Sequence, residues 1–370
     1  MAKAIRKNEA IWIKGRSRWQ INVQKDGERR TFVSSAPGKR GKIEAERKAD
    51  KWLEDGDIND AIRLSELWEL FLLDTKDATG SANYIKHEQI GRTWLLPELK
   101  HKRISKITCQ DWQRCINAAY KAGRAKKTCQ NIRGSIVALY RYAKMRQISM
   151  IRPEGLTIPK DAPSKSRTIL QADDLAKLFE NDTIVVRKKI VPVWYINLWR
   201  LIVLTGLRRG EACGLLWSDI DNTVLTVSRS INSLNEITQG KTQNAKRVFV
   251  LSSMAQQTLV SQRKMVLQKG IISEWVFCDE LGQRPNSNEV YRQWRKYRTQ
   301  HGITSSIHEI RHTHISWLKS VAPEPLLKRE VGHGIDMDTY GIYGHAVDGE
   351  MQIIADTVDA VFMPIIGEKK

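Results

Sequence analysis

The sequence predicts a multidomain protein in three parts: a small three-stranded β-sheet plus helix, an all-α helical domain, and a larger, mainly α (α+β) domain. Three observations carry that expectation. The chain has 370 residues, more than one core usually serves when a domain averages about 150. Its apolar residues first alternate and then recur at helical spacing, the change of period that separates strands from helices. Two breaks in composition lie between the patterned segments: an acidic, turn-forming stretch at 55–61 and a proline-rich, basic stretch at 151–167.

Ile11, Ile13, Trp19, Ile21, Val23, Phe32 and Val33 are separated by polar or basic residues, and Lys25-Asp26-Gly27-Glu28 supplies a turn, so residues 5–33 read as an antiparallel sheet. A helix over about 42–54 sets Ala45, Ala49, Trp52 and Leu53 on one face. The non-core positions of the strands carry Arg16, Arg18, Arg29 and Arg30. Residues 1–51 hold fifteen basic and six acidic side chains. A basic three-stranded sheet of this kind can lay its strands in a DNA major groove. A basic module that only steadies its neighbour is the alternative. This first domain spans 1–58.

Residues 62–152 read as entirely helical. Leu64, Leu67, Trp68, Leu70 and Phe71 share one face, and 83–94 forms a second helix. Thr108 is placed to cap a third helix, with Asp111 in its first turn. A fourth covers 127–145, with Ile132, Ile136, Leu139, Tyr140 and Ala143 inward. Between 100 and 146 thirteen basic residues oppose Asp111 alone, more than a solvated helix face accounts for. Lys126, Lys127 and Arg133 are the candidate phosphate contacts. Residues 153–167, with Pro153, Pro159 and Pro163, form an extended linker. The last domain, 168–370, mixes a helix opening over 168–175, an apolar helix over 191–204, strands at 223–228 and 247–251 around a hairpin that carries Lys241, and further helices to 362.

Lysine and arginine total 61 against 41 aspartate and glutamate, a formal +20 that points to a polyanionic partner. The five cysteines form no C-x-x-C pair, so zinc-knuckle spacing is absent and reduced core thiols in a cytosolic protein are expected. The N-terminus has no apolar signal segment, and no run approaches membrane-spanning length, so a cytoplasmic protein without a membrane partner is expected.

Five short pieces of the last domain carry the chemistry: Thr205-Gly206-Leu207-Arg208-Arg209-Gly210-Glu211, Lys241-Thr242, His308-Glu309-Ile310-Arg311-His312, Val331-Gly332-His333 and Ile342-Tyr343-Gly344-His345. Cleaving a phosphodiester by nucleophilic attack needs an in-line nucleophile, cations on the non-bridging oxygens, an acid for the leaving oxygen and a base. Glu211 lies one helical turn beyond Arg208 and can buttress its guanidinium, with Arg209 as the competing arginine. His308 and Arg311 lie one turn apart on one face. Lys246 and Arg247 are alternatives to Lys241, and Tyr340 is the alternative to Tyr343. The residues His308 to His312 also spell H-E-x-x-H, a zinc-peptidase signature with Glu330 as a candidate third ligand. That reading leaves the charge, Arg208, Lys241 and Tyr343 without a purpose and sets Arg311 beside a dication.

In this order and spacing the pieces resemble the active site of a tyrosine recombinase, the integrase family of phages and conjugative transposons. The resemblance covers nearly the whole chain. It implies that Arg208 and Arg311 clamp the phosphate, supported by Glu211. It implies that Lys241 protonates the leaving 5′-oxygen, His308 accepts or shuttles a proton, His333 donates to the phosphate, and Tyr343 is the nucleophile. It implies an arm-type DNA-binding domain at 1–58, a core-binding domain at 62–152, and a C-terminal interaction helix, for which packing in cis is the alternative. The expected activity is site-specific integration and excision of a mobile element through a covalent 3′-phosphotyrosyl intermediate and a Holliday junction, with no cofactor and no metal. Expected partners are double-stranded DNA at arm-type and core-type attachment sites, a homo-tetramer on that DNA, and an excisionase or host DNA-bending protein. The expected location is the bacterial cytoplasm, at the nucleoid. A type IB-like DNA topoisomerase and a catalytically inactive DNA-binding homologue are the alternative readings.

Overall fold

Packing divides the chain within its proline-rich joint, into Met1–Lys165 and Ser166–Lys370. The computed structural model describes residues 8–25, 28–54, 62–79, 81–164, 167–238, 246–332 and 349–367. Among them, no helix is long and apolar enough to cross a membrane.

The first unit begins with an antiparallel sheet in the order β1 (Ile11–Ile13), β2 (Arg18–Lys25), β3 (Glu28–Ser34). Period-two alternation turns Ile21 and Val23 toward α1 (Gly38–Glu54), which returns Ala45, Ala49, Trp52 and Leu53 to the same small core. The helix starts about four residues before the sequence pattern suggests. Gly41 allows this: a Cβ there would stand 1.8 Å from the Ala36 carbonyl oxygen. The same pleat sorts the arginines. Val23 pairs directly with Arg30, so Arg30 lies on the helix side, its guanidinium 5.5 Å from the Trp52 ring. Arg29 pairs with Gln24 on the open face, which Arg18 shares, and Arg16 is exposed in the turn between β1 and β2.

A second core of the same unit is helical: α2 (Leu64–Thr79), α3 (Ser81–Ile90), α4 (Leu96–Leu99), α5 (Cys109–Lys121) and α6 (Lys126–Met145). The single helix expected over 83–94 is interrupted by a π turn, Gly91–Leu95, where the backbone meets the Trp68 indole so closely that a Cβ on Gly91 would stand 2.1 Å from Nε1. Thr108 and Asp111 form the reciprocal cap of α5. Asp111 also takes Lys102 and Arg114, and these donors hold its carboxyl below the usual range although burial opposes them. The lone acid of this basic stretch is therefore structural. Lys126 and Lys127 open α6 with no acidic residue in its first turn, and Arg133 is exposed on it. Cations at a helix N-terminus are unfavourable until an anion arrives.

The second unit is built around α8 (Ile196–Thr205), in which only Arg200 escapes full burial. The apolar helix expected over 191–204 starts later because residues 183–192 form a hairpin, β4 (Thr183–Val186) and β5 (Lys189–Pro192), and Pro192 lacks the N–H a helix interior requires. Around α8 lie α7 (Ala172–Glu180), the short α9 (Arg209–Cys213), α10 (Ser253–Gln268), α11 (Ser287–Gln300), α12 (Ile307–Leu318), α13 (Glu324–Val331) and α14 (Glu350–Ile366). A three-stranded sheet joins β6 (Ile220–Asp221), β7 (Val224–Val227) and β10 (Arg247–Val250), and a two-stranded one joins β8 (Ser230–Ile231) and β9 (Ile237–Thr238). Helix α14, at the place of the expected interaction helix, sends Ile354, Val358 and Phe362 into this unit's core, and its Asp359 accepts the Ser253 and Met254 N–H groups at the start of α10.

Candidate active site

Helix α8 ends on Gly206, whose φ of +61° is the left-handed conformation that reverses the chain without a Cβ penalty. Leu207 is buried, and Arg208 follows in extended conformation as the N-cap of α9. This entry angle sets Glu211 beneath Arg208. One carboxylate oxygen of Glu211 takes the Arg208 N–H at 2.9 Å, and the other takes Arg208 Nη1 at 2.7 Å. Arg208 Nη2 also donates to the Gly332 carbonyl at 3.3 Å. The competitor Arg209 lies over the Tyr291 ring at 5.6 Å.

Glu211 is buried and holds a second arginine that the sequence reading offered only as an alternative lysine-like donor. Arg247, 4% exposed at its side chain, grips both carboxylate oxygens, at 3.1 and 2.8 Å. Its Nε donates to the Glu330 carbonyl. The alternation of β10, with Arg247 and Phe249 inward, was the available signal for this role. Burial works against the Glu211 carboxylate, but the hydrogen bonds and charges of Arg247 and Arg208 keep it below the usual carboxylate range.

One turn after His308, Arg311 is buried on α12 and donates to two main-chain carbonyls: Gly206, and Val331 at 2.6 Å. Burial, then the Arg208 charge, bring its pKa down to about 10, which leaves it cationic at neutral pH. Arg208 and Arg247 thus share the Glu211 carboxylate, and Arg311, near enough to feel their charges, is held by main-chain carbonyls instead. A buried surplus of positive charge is costly unless an anion balances it.

His308 is exposed, with its ring edge-on to His312 at 4.9 Å. Burial of its inner side and the charges of Arg167, Arg311 and Arg208 lower its pKa, so at neutral pH it is an imidazole able to accept a proton. Arg167 Nη1 lies 2.7 Å from His312 Nε2, which must accept. Arg167→Gln removes one of the lowering charges. The acid limb of DNA cleavage is expected to move upward in this variant; a rate profile from about pH 5 to 8 that superimposes on wild type would count against His308 as the proton acceptor.

The zinc-peptidase reading fails on geometry. Glu309, its water-activating residue, caps α12 through the Ser306 N–H and takes the Thr168 N–H at 3.0 Å. Glu330 faces His314, not His308 or His312. Lys241, His333 and Tyr343, with the alternative Tyr340, lie outside the described residues. His333 follows directly on Gly332, whose carbonyl accepts from Arg208.

A helix-rich fold that holds two arginines side by side, in a strongly basic chain, fits an enzyme that works on the phosphates of DNA. Residues 168–350 match the phage integrase family, and this domain is that of a tyrosine recombinase, an enzyme of DNA strand transfer and site-specific recombination. It is 24% identical over 360 residues to a tyrosine recombinase XerC-like protein of Caldanaerobacter subterraneus, covering 87% of this chain and 90% of that one. It is 26% identical to the ICEBs1 integrase of Bacillus subtilis over 176 residues, 44% of this chain and 48% of the relative. In fold it is similar to a lambda integrase tetramer bound to a Holliday junction, with TM-score 0.61, 17% identity, and coverage of 89% and 96% of the two chains. It is likewise similar to the Tn1549 transposon integrase in complex with transposon right end DNA, with TM-score 0.60, 20% identity, and coverage of 80% and 98%.

Proposed function

We propose that this recombinase integrates and excises a mobile DNA element, with Tyr343 as nucleophile and Arg208, Arg311, Lys241, His308 and His333 as the catalytic set. The Tyr343 phenol oxygen attacks the scissile phosphorus. The bond to the 5′-oxygen breaks, a 3′-phosphotyrosyl bond forms, and the energy of the broken linkage is retained. His308 receives the phenol proton, and Lys241 supplies one to the departing 5′-oxygen, which leaves as a hydroxyl. Arg208 and Arg311 hold the non-bridging oxygens as charge builds on them, and His333 donates to the same phosphate. Attack by a 5′-hydroxyl from the partner duplex reverses these steps on the new strand and yields a Holliday junction.

The observation that carries this reading is that Glu211 is shared by Arg208 and Arg247 while Arg311, close enough to feel the Arg208 charge, donates only to the neutral Gly206 and Val331 carbonyls among the described residues, which leaves cationic donors for a phosphate. The relatives named after an integrative element and a transposon support the mobile-element role. The tetramer on a Holliday junction formed by lambda integrase supports the same assembly here. In this reading residues 1–58 bind arm-type sites through Arg16, Arg18 and Arg29, with Arg30 bracing the sheet against α1. Residues 62–152 bind core-type sites through Lys126, Lys127 and Arg133, and 153–167 link them to the catalytic domain. An excisionase or a host DNA-bending protein sets direction, and the reaction takes place at the bacterial nucleoid in the cytoplasm.

Covalent trapping tests the proposal. The full chain is mixed, in EDTA, with a nicked duplex spanning the end of its element and run on a denaturing gel. The adduct is expected to form in wild type and Tyr340→Phe and to vanish in Tyr343→Phe. Loss only in Tyr340→Phe would reassign the nucleophile. Salt-sensitive binding with no adduct in any form would replace strand transfer by DNA binding alone.

A further inference from the structure

His314 and Glu330 form a buried pair to which the mechanism assigns no work. His314 is 0% exposed on α12, and its Nδ1 lies 2.8 Å from the Val203 carbonyl oxygen in the last turn of α8. A carbonyl only accepts, so Nδ1 carries a hydrogen. The other ring nitrogen, Nε2, faces Glu330 Oε2 at 3.5 Å, and Glu330 is itself buried in the last turn of α13. Among the described residues neither atom has a hydrogen-bond partner. A neutral imidazole would point a lone pair at the carboxylate in a dry interior, which is repulsive. A hydrogen on Nε2 or on Oε2 would make the contact attractive.

The pair ties together the two chain ends that hold Arg311. Gly206, whose carbonyl takes Arg311 Nη1, lies three residues beyond Val203. Val331, whose carbonyl takes Nη2, directly follows Glu330. The His314 ring also packs against this corner: a Cβ on Gly206 would stand 2.7 Å from His314 Cδ2 and 3.0 Å from Val331 Cγ1. On its other side Phe362 of α14 stacks nearly parallel, at 13° and 6.5 Å. Arg311 has five N–H donors, and the two carbonyls fix the plane in which the rest point.

We infer that His314 and Glu330 are positioning residues for strand cleavage: their buried contact sets the spacing of the Gly206 and Val331 carbonyls and so aims the Arg311 guanidinium at the scissile phosphate. The inference rests on Arg311 being a phosphate clamp. A misalignment of about 1 Å at a reacting centre can cost on the order of a hundredfold in rate.

The test compares single-turnover covalent cleavage at saturating nicked duplex with DNA affinity and thermal stability. The variants are Glu330→Leu, Glu330→Gln, the double His314→Leu/Glu330→Leu, and Arg311→Lys as a reference. Glu330→Leu is expected to cleave at least about tenfold more slowly with Kd within about twofold of wild type. Glu330→Gln, whose amide can donate to Nε2, is expected within about threefold of the native rate. The double variant removes both partners of the pair but also the donor to the Val203 carbonyl, so it is expected to melt above Glu330→Leu, somewhat below wild type, and yet remain slow. A double variant that cleaves like wild type, beside an inactive Arg311→Lys, overturns the positioning role alone. Glu330→Gln as slow as Glu330→Leu overturns it without recourse to the double variant. Arg311→Lys at the native rate overturns the clamp reading and the inference with it.

Discussion

Arg311→Lys is expected to slow formation of the covalent DNA adduct by on the order of a hundredfold to a thousandfold, the usual cost of losing one preorganised donor at a developing oxyanion. Lysine retains the charge but not the planar fork. The donors of an ammonium all sit on one atom and cannot span the Gly206 and Val331 carbonyls as Nη1 and Nη2 do, whereas the guanidinium satisfies both and keeps N–H groups for phosphate. Arg208→Lys is expected to act in the same direction, because Nη1 and Nη2 already divide between Glu211 and Gly332. Binding to an intact core duplex should change little, since one contact among many phosphate contacts carries a small share of affinity. The measurement is single-turnover cleavage of a nicked duplex beside a binding isotherm at fixed salt. Rates within tenfold of wild type for both variants would remove the arginines from the clamp role.

Arg247→Met is expected to destabilise the second unit by about 3–5 kcal/mol, because it leaves Glu211 buried with Arg208 as its remaining cationic partner. For a unit of this size that is a fall in melting temperature of roughly 10 °C or more. The pH dependence follows from the same contacts. The folded-state pKa of Glu211 is lowered, so its contribution to stability is complete above the ordinary glutamate pKa and is lost as pH falls through the lowered folded value. Glu211→Gln should therefore be less stable at neutral pH and show a shallower loss on acidification. Urea unfolding from pH 7 to 3 checks both points; parallel acid limbs for the two proteins would show that Glu211 does not carry the linkage. Arg247→Met that melts with wild type would mean that Arg208 alone suffices to hold the carboxylate.

Much of this was legible in the chain itself. Period-two alternation over 11–33 placed Ile21 and Val23 inward, and period 3.6 placed Ala45, Ala49, Trp52 and Leu53 opposite them, since both patterns report the side of an element that must leave water. The Thr108–Asp111 cap was readable because a cap is local, made within four residues. The Arg208–Glu211 and His308–Arg311 spacings were readable for the same reason. Local periodicity failed where a neighbour intervened: the Trp68 indole against Gly91 sets a π turn inside an otherwise helical pattern, and Pro192 ends a strand where an apolar run suggested helix.

The sequence by itself determined the fold class, which follows from composition, period and short spacings, and the order of its short motifs carried the resemblance to the integrase family. Only the tertiary structure decided how the charges are shared. Arg247 reaches Glu211 across 36 residues, Arg311 reaches the Gly206 carbonyl across 105, and His314 meets Val203 across 111. No window of sequence contains such pairs. They exist because burying one carboxylate among arginines requires every donor and acceptor nearby to be satisfied at once, and that condition is met in space rather than along the chain.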